Sequence, residues 1–318
     1  MSYLPVLLKW LPFGVLGALV VYVVVARPID WQTVMSHMAD LPPILWAQLL
    51  GTFVLSYGAR IGRWCLFTRA VGVAVPWWRN AVIYMAGFGL GLVLNKAGEA
   101  MRVLYLRPFG MSYANGVGAF LADRLLDVLV AGLLACLGIA LFTGHSAGAL
   151  MATGACLVVM WILRSSLARE WVRRLPLGRL ASYAGEGMQA MSVLLSGRTL
   201  WTAGGLSAVV WCVQGSALYL TLVALGAPIE WHVAVAAYAI GLFAAAVVVL
   251  PGGLGAAEAT IMLLLISKGI DKEAALVAAV LSRSVPQWAG ILTGLLCLAV
   301  IGKASTEAPK DPEPVQIR

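Results

Sequence analysis

Apolar stretches of roughly twenty residues recur along this chain from Leu4 to about Ile301, and a helix of that length, rising 1.5 Å per residue, crosses about 30 Å of hydrocarbon. This repetition limits the chain to few folds. Of its 318 residues, 61% are hydrophobic and 11% charged, with a mean hydropathy of +0.91. One soluble core cannot bury so much apolar surface, so lipid must solvate it. The expected fold class is an all-α polytopic membrane protein. Lys9 ahead of an apolar run and Val24-Val25-Ala26 imitate a secretory signal, but the length of the run and Arg27-Pro28 after it favour a first transmembrane helix over 4–26. The tail over 304–318, rich in Pro and Glu, is expected to be disordered and cytoplasmic.

Charge sets the expected topology. Arg60, Arg63, Arg69 and Arg79 fall in one predicted loop, 60–79, and Arg164, Arg169, Arg173, Arg174, Arg179 and Arg198 in another, 164–199; both should face the cytoplasm. The connections 27–41, 144–147 and 226–231 hold one arginine between them and should face outward. The net charge of +8 is thus assigned to membrane orientation, not to nucleic acid. Trp31, Trp77, Trp78, Trp161, Trp201 and Trp231 lie near span ends, where amphipathic rings suit the headgroup layer. The loop 164–199 mixes Trp171, Leu175, Leu180, Met188 and Met191 with its arginines, and reads either as a segment lying on the anionic leaflet or as a solvated linker. Cys65, Cys136, Cys156, Cys212 and Cys297 show no paired spacing and are expected to be packing residues.

The apolar run 81–94 is too short for a crossing and is followed by Asn95-Lys96-Ala97-Gly98-Glu99, Arg102 and Arg107. Treating 80–109 as a re-entrant hairpin entered from the cytoplasm keeps those cations inside. The same treatment of 232–268, broken at Pro251-Gly252-Gly253-Leu254-Gly255, gives a second hairpin entered from outside. The layout is six full spans and two hairpins in one transmembrane domain, 1–303, with both termini cytoplasmic.

An internal repeat underlies it. Glu99 and Arg124 are 25 residues apart, as are Glu258 and Arg283, and the second pair is the first displaced by 159 residues. The same shift aligns Gly110 with Gly269, Ala119 with Ala278, and the candidate helix caps Ser112 and Asp271. Repeat 1, about 4–143, and repeat 2, about 147–302, each read helix, helix, broken hairpin, helix. Loop signs make their hairpins enter from opposite faces, the inverted-repeat arrangement of many transporters.

Twelve residues from those caps, Arg124 and Arg283 lie about 18 Å along their helices, near the bilayer centre. An arginine there costs at least about 2.5 to 3.5 kcal/mol unless it is paired or lines a wet cavity. Asp127 is placed to pair with Arg124 at i and i+3, and Asp123 is read as facing away. Half-helices beginning near Gly98 and Gly255 should point free N–H groups into the membrane. Together with Lys96, Arg102, Arg124 and Arg283 they would suit a phosphate, which arginine clamps with paired hydrogen bonds. The candidate substrate-binding set is Asn95, Lys96, Gly98, Glu99, Arg102, Arg124 and Asp127 in repeat 1, with Pro251, Gly252, Gly253, Gly255, Glu258 and Arg283 in repeat 2. The same acids and arginines would also serve as structural ion pairs holding the hairpins shut. Gly87 and Gly91 form a small-residue step suited to helix packing. No catalytic residue, metal ligand or cofactor is assigned.

At Leu94-Asn95-Lys96-Ala97-Gly98-Glu99-Ala100-Met101-Arg102, Leu121-Ala122-Asp123-Arg124 and Leu250-Pro251-Gly252-Gly253-Leu254-Gly255-Ala256-Ala257-Glu258, the chain resembles the flippase-like transmembrane domain of lysylphosphatidylglycerol synthases. Leu94 and Asn95 stand where that family usually has proline. The resemblance implies a bacterial inner-membrane protein that moves a phospholipid or polyprenyl-linked lipid between leaflets. Its partners would be membrane lipids with anionic headgroups and enzymes of lipid or polysaccharide synthesis. Residues 304–318 leave no room for the aminoacyl transferase of full-length synthases, so a stand-alone transporter domain is expected. With no Gly-x-x-x-x-Gly-Lys-Ser/Thr loop, an ion or lipid gradient would drive transport. The competing readings are a membrane-embedded glycosyl or phosphoryl transferase, which the short outer loops disfavour, and a secondary transporter of a small anion.

Overall fold

A computed structural model describes residues 30–94, 96–143, 179–247 and 255–306, with scattered positions between 151 and 170. The expected first span at 4–26, most of the span expected after 147, the break residues Asn95 and 251–254, and the tail from 307 lie outside the described residues. Among the described residues the chain is all-helical: α1 (Trp31–Ala39), α2 (Pro43–Ala70), α3 (Trp77–Leu94), α4 (Lys96–Ala100), α5 (Arg102–Tyr105), a 3-10 turn (Arg107–Phe109), α6 (Tyr113–Thr143), α7 (Arg179–Leu194), α8 (Gly197–Ala224), α9 (Trp231–Val247), α10 (Ala256–Ser267) and α11 (Lys272–Thr306).

Pro43–Ala70, Gly197–Ala224 and Lys272–Ile301 are long and apolar enough to cross a membrane, and α6, with 31 residues, extends about 46 Å. Trp77, Trp78, Trp201 and Trp231 are exposed near the starts of α3, α8 and α9. Caps fix the helix starts. Ser112 accepts the Asn115 N–H at 3.0 Å ahead of α6, and Asp271 accepts the N–H groups of Glu273 and Ala274 at 3.1 and 3.4 Å ahead of α11.

Packing follows the repeat. α2 pairs with its counterpart α8, α3 packs on α11, and reciprocally α9 packs on α6. In each case an element of one repeat meets the partner element of the other, as a pseudo-two-fold requires. The α2–α8 pair runs antiparallel: Arg63 meets Ser207 and Arg60 lies over Trp211, while Leu45 and Leu49 share a core with Leu218 and Leu222. Corresponding helices therefore point in opposite directions, which is the inversion expected from loop charge. Backbones approach closely at both reciprocal contacts. A Cβ on Gly89 would lie 2.6 Å from the Gly294 carbonyl carbon, and one on Gly138 would lie 2.7 Å from Ala236 Cβ.

The helices flanking both breaks pack against each other. In the first, Glu99 packs over Gly87, and Gly98 is pressed against the backbone of Leu90 and Gly91; the Gly87–Gly91 step thus serves packing within the hairpin. In the second, Gly241 sits beneath Ala257 and Ile261.

Two expectations are corrected. α2 does not end near 59: it continues to Ala70, and Arg60 and Arg63 are buried within it instead of lying in a cytoplasmic loop. The basic loop 164–199 contains a helix, α7 (Arg179–Leu194), that is packed into the bundle and is not a solvated linker. α7 packs along α6, where Gly118 and Gly187 meet, and Met191 joins the core of Trp64, Phe67, Leu106 and Met111. Small residues at 185, 187 and 190 let its buried face approach.

Candidate functional site

Repeat 1 gathers its charges from four helices. On α2, Arg60, Arg63, Trp64 and Phe67 recur at i, i+3, i+4 and i+7, so one buried face carries two guanidiniums. On α6, Asp123 and Asp127 at i and i+4 share the face that meets them. Asp123 therefore does not face away, as its position beside Arg124 suggested. Fully buried, it accepts from Arg63 Nε at 2.8 Å, Arg102 Nη2 at 2.9 Å and Arg124 Nη2 at 2.7 Å. Asp127 accepts from Arg60 Nη1 at 2.8 Å and Arg63 Nη1 at 2.7 Å, with Arg124 Nη2 at 3.3 Å. Arg63 also donates to the Ser207 hydroxyl of α8.

The hairpin contributes the rest. Its return strand of short helices brings Glu99 to 3.3 Å from Arg124 and seats Arg102, wholly buried, with its guanidinium carbon 3.9, 4.6 and 5.2 Å from the ring centres of Trp64, Tyr84 and Phe120. Four arginines face three carboxylates, so the fully ionised centre carries one surplus positive charge. Each side chain here is at most 8% exposed except Arg124, at 23%.

Repeat 2 is simpler. Glu258 accepts the Gly255 N–H at 2.7 Å and pairs with Arg283, as the 25-residue spacing predicts. Gly255, at φ +89°, makes the turn into α10. The helix start expected at Gly255 is present, with Glu258 accepting the Gly255 N–H ahead of α10. The one expected at Gly98 is not: α4 begins at Lys96 and has only five residues, so Gly98 lies inside it and serves close backbone approach. Of the predicted set, the structure joins Glu99, Arg102, Arg124 and Asp127 in one centre and Glu258 with Arg283 and Gly255 in another. Lys96 lies at the start of α4. Asn95, Pro251, Gly252 and Gly253 are outside the described residues.

A buried ionic centre where two antiparallel halves of a helical bundle meet defines an all-α polytopic membrane protein with its polar machinery inside. The family profile described as the lysylphosphatidylglycerol synthase TM region matches residues 10–294, and the chain belongs to that family, which links it to lipid handling. No curated protein matches the chain.

Proposed function

We propose that the protein is a lipid translocator of the bacterial inner membrane, moving a phospholipid or polyprenyl-linked lipid between leaflets while its two inverted halves exchange conformations. The observation that carries this reading is Arg124. In a centre with surplus positive charge it is the one guanidinium left partly exposed, so an anionic headgroup reaches it while its chains stay in lipid. The pair at Arg283 and Glu258 is the counterpart that opens and closes on the other side. Short connections such as 225–230 offer little surface for transferase carboxylates, which favours transport over chemistry.

Fluorescent phosphatidylglycerol in proteoliposomes tests this, with quencher added outside. The wild-type protein should equilibrate the label between leaflets, and Arg124→Gln and Arg283→Gln should slow it at least about tenfold, the loss expected for one charged hydrogen bond. Wild-type rates in variants that insert normally would sink the assignment. Flux of a soluble anion without lipid movement would replace the substrate.

A further inference from the structure

Hydrogen-bond donors in the repeat 1 centre outnumber acceptors. Each guanidinium carries five N–H groups and no acceptor. Among the described residues, Arg102 Nε and Nη1, Arg124 Nε, Trp64 Nε1 and the Tyr84 hydroxyl are buried and meet no acceptor. They are contiguous: Arg102 lies on Trp64 and Tyr84, and Phe120 touches both Arg102 and Arg124. A buried donor left without an acceptor costs about 1–3 kcal/mol, so a group retaining several of them around surplus positive charge is organised for something rich in acceptors and negatively charged.

We infer that the repeat 1 centre is a phosphate-binding site, held by Arg102, Arg124 and Tyr84 and entered past Arg124. Phosphate oxygens accept and never donate when ionised, and they match the paired N–H edges of arginine. Tyr84 adds a neutral donor. The inference deepens the proposed function by naming the recognised group and its place. It rests on that reading only for the source of the phosphate, a lipid headgroup or the free ion.

Phosphorus NMR of the full chain in phosphate-free nanodiscs of uncharged glycolipid, titrated separately with inorganic phosphate and with dihexanoylphosphatidylglycerol, tests the site. Saturable broadening with at least one ligand is expected. Tyr84→Phe, which removes a hydroxyl with no partner and so spares the fold, should weaken binding about tenfold, and Arg102→Lys at least as much. Broadening by the lipid alone assigns the phosphate to a headgroup. Broadening by the free ion alone keeps the site but moves the protein to soluble anion transport. No broadening by either ligand, or wild-type affinity in Tyr84→Phe, overturns the inference, and lipid translocation by the same preparation would then show that the functional reading survives without it.

Discussion

Glu99 with Arg124 and Glu258 with Arg283 share one spacing, yet the first pair has been drawn into a network of seven charged side chains and the second is a buried ion pair with one cap. The difference comes from their neighbours. At the 159-residue displacement, Arg102, Asp123 and Asp127 are answered by Ile261, Ser282 and Pro286. α8 begins 154 residues after α2, at 197 against 43, and by that register Arg60 and Arg63 are answered by Gln214 and Ala217. The two halves share the hairpin-to-helix pair, and only repeat 1 surrounds its own with further charge. Repeat 2 diverged in backbone instead. From hairpin start to final helix it runs 41 residues, 231 to 272, against 36 in repeat 1, 77 to 113, and the difference equals the length of its Pro251–Gly255 break.

The largest effect separating the halves should come from Asp123. Asp123→Ala would leave Arg63, Arg102 and Arg124 short of an acceptor in a dry interior, at a cost of about 3–5 kcal/mol. The equivalent Ser282→Ala removes only a hydroxyl bonded to the Ala279 carbonyl at 3.3 Å and should fall within about 1 kcal/mol. Thermal unfolding in detergent compares them, and equal losses would mean that the network is no more structural than its counterpart.

Charge reversal sharpens the same contrast. Arg283→Glu alone should cost roughly 3 kcal/mol or more by setting two acids together, and adding Glu258→Arg should restore most of it, except the cap on Gly255. Reversing Glu99 and Arg124 together should not recover, because a glutamate at 124 would face Asp123 and Asp127. Full recovery in repeat 1 would show that its pair is isolated after all.

These contrasts also mark what was legible in the sequence. The spans at α2, α8 and α11 and the Glu258–Arg283 pair follow from apolar length and fixed spacing, which a sequence displays directly. Arg60 and Arg63 were hidden because orientation rules count cations near a span end as loop residues. The usable signal was their i, i+3 spacing with Trp64 and Phe67 on one helical face. Asp123 reads as facing away when set beside its neighbour Arg124, whereas a helix aligns it with Asp127 one turn on. The orphaned donors of Arg102 and Tyr84 depend on hairpin return geometry, which no local pattern encodes.

Backbone substitutions probe the two breaks. Gly98→Ala would drive a methyl into the Leu90 and Gly91 backbone, with no flexible side chain to yield, and should cost about 1–3 kcal/mol. Gly255→Ala meets open space and pays only for its positive φ, about 1–2 kcal/mol. Gly98→Ala should also slow translocation more, since it displaces Glu99 from Arg124. If Gly255→Ala were the more damaging in both stability and transport, repeat 2 would hold the more demanding hairpin.

The smallest separation lies at the caps, where Ser112 and Asp271 occupy equivalent positions ahead of α6 and α11. Replacing either with alanine should cost about 1 kcal/mol at pH 7, but the two losses should respond differently to acid. Slight burial opposes ionisation of Asp271, and the N–H groups of Ala274 and Glu273 outweigh it, leaving the carboxyl below its ordinary value of 3.8. A folded-state pKa lower than the unfolded one contributes stability that is present above the unfolded value and is lost as pH falls through the folded value. The deficit of Asp271→Ala should therefore shrink as the pH drops below about 3.8, when the wild-type carboxyl also loses its charge against the helix dipole. Ser112 has no proton to gain, so the deficit of Ser112→Ala should stay constant. Unfolding of both variants at pH 7 and near pH 3 separates an ionic cap in repeat 2 from a neutral one in repeat 1, and parallel pH profiles would show that the two caps have not diverged.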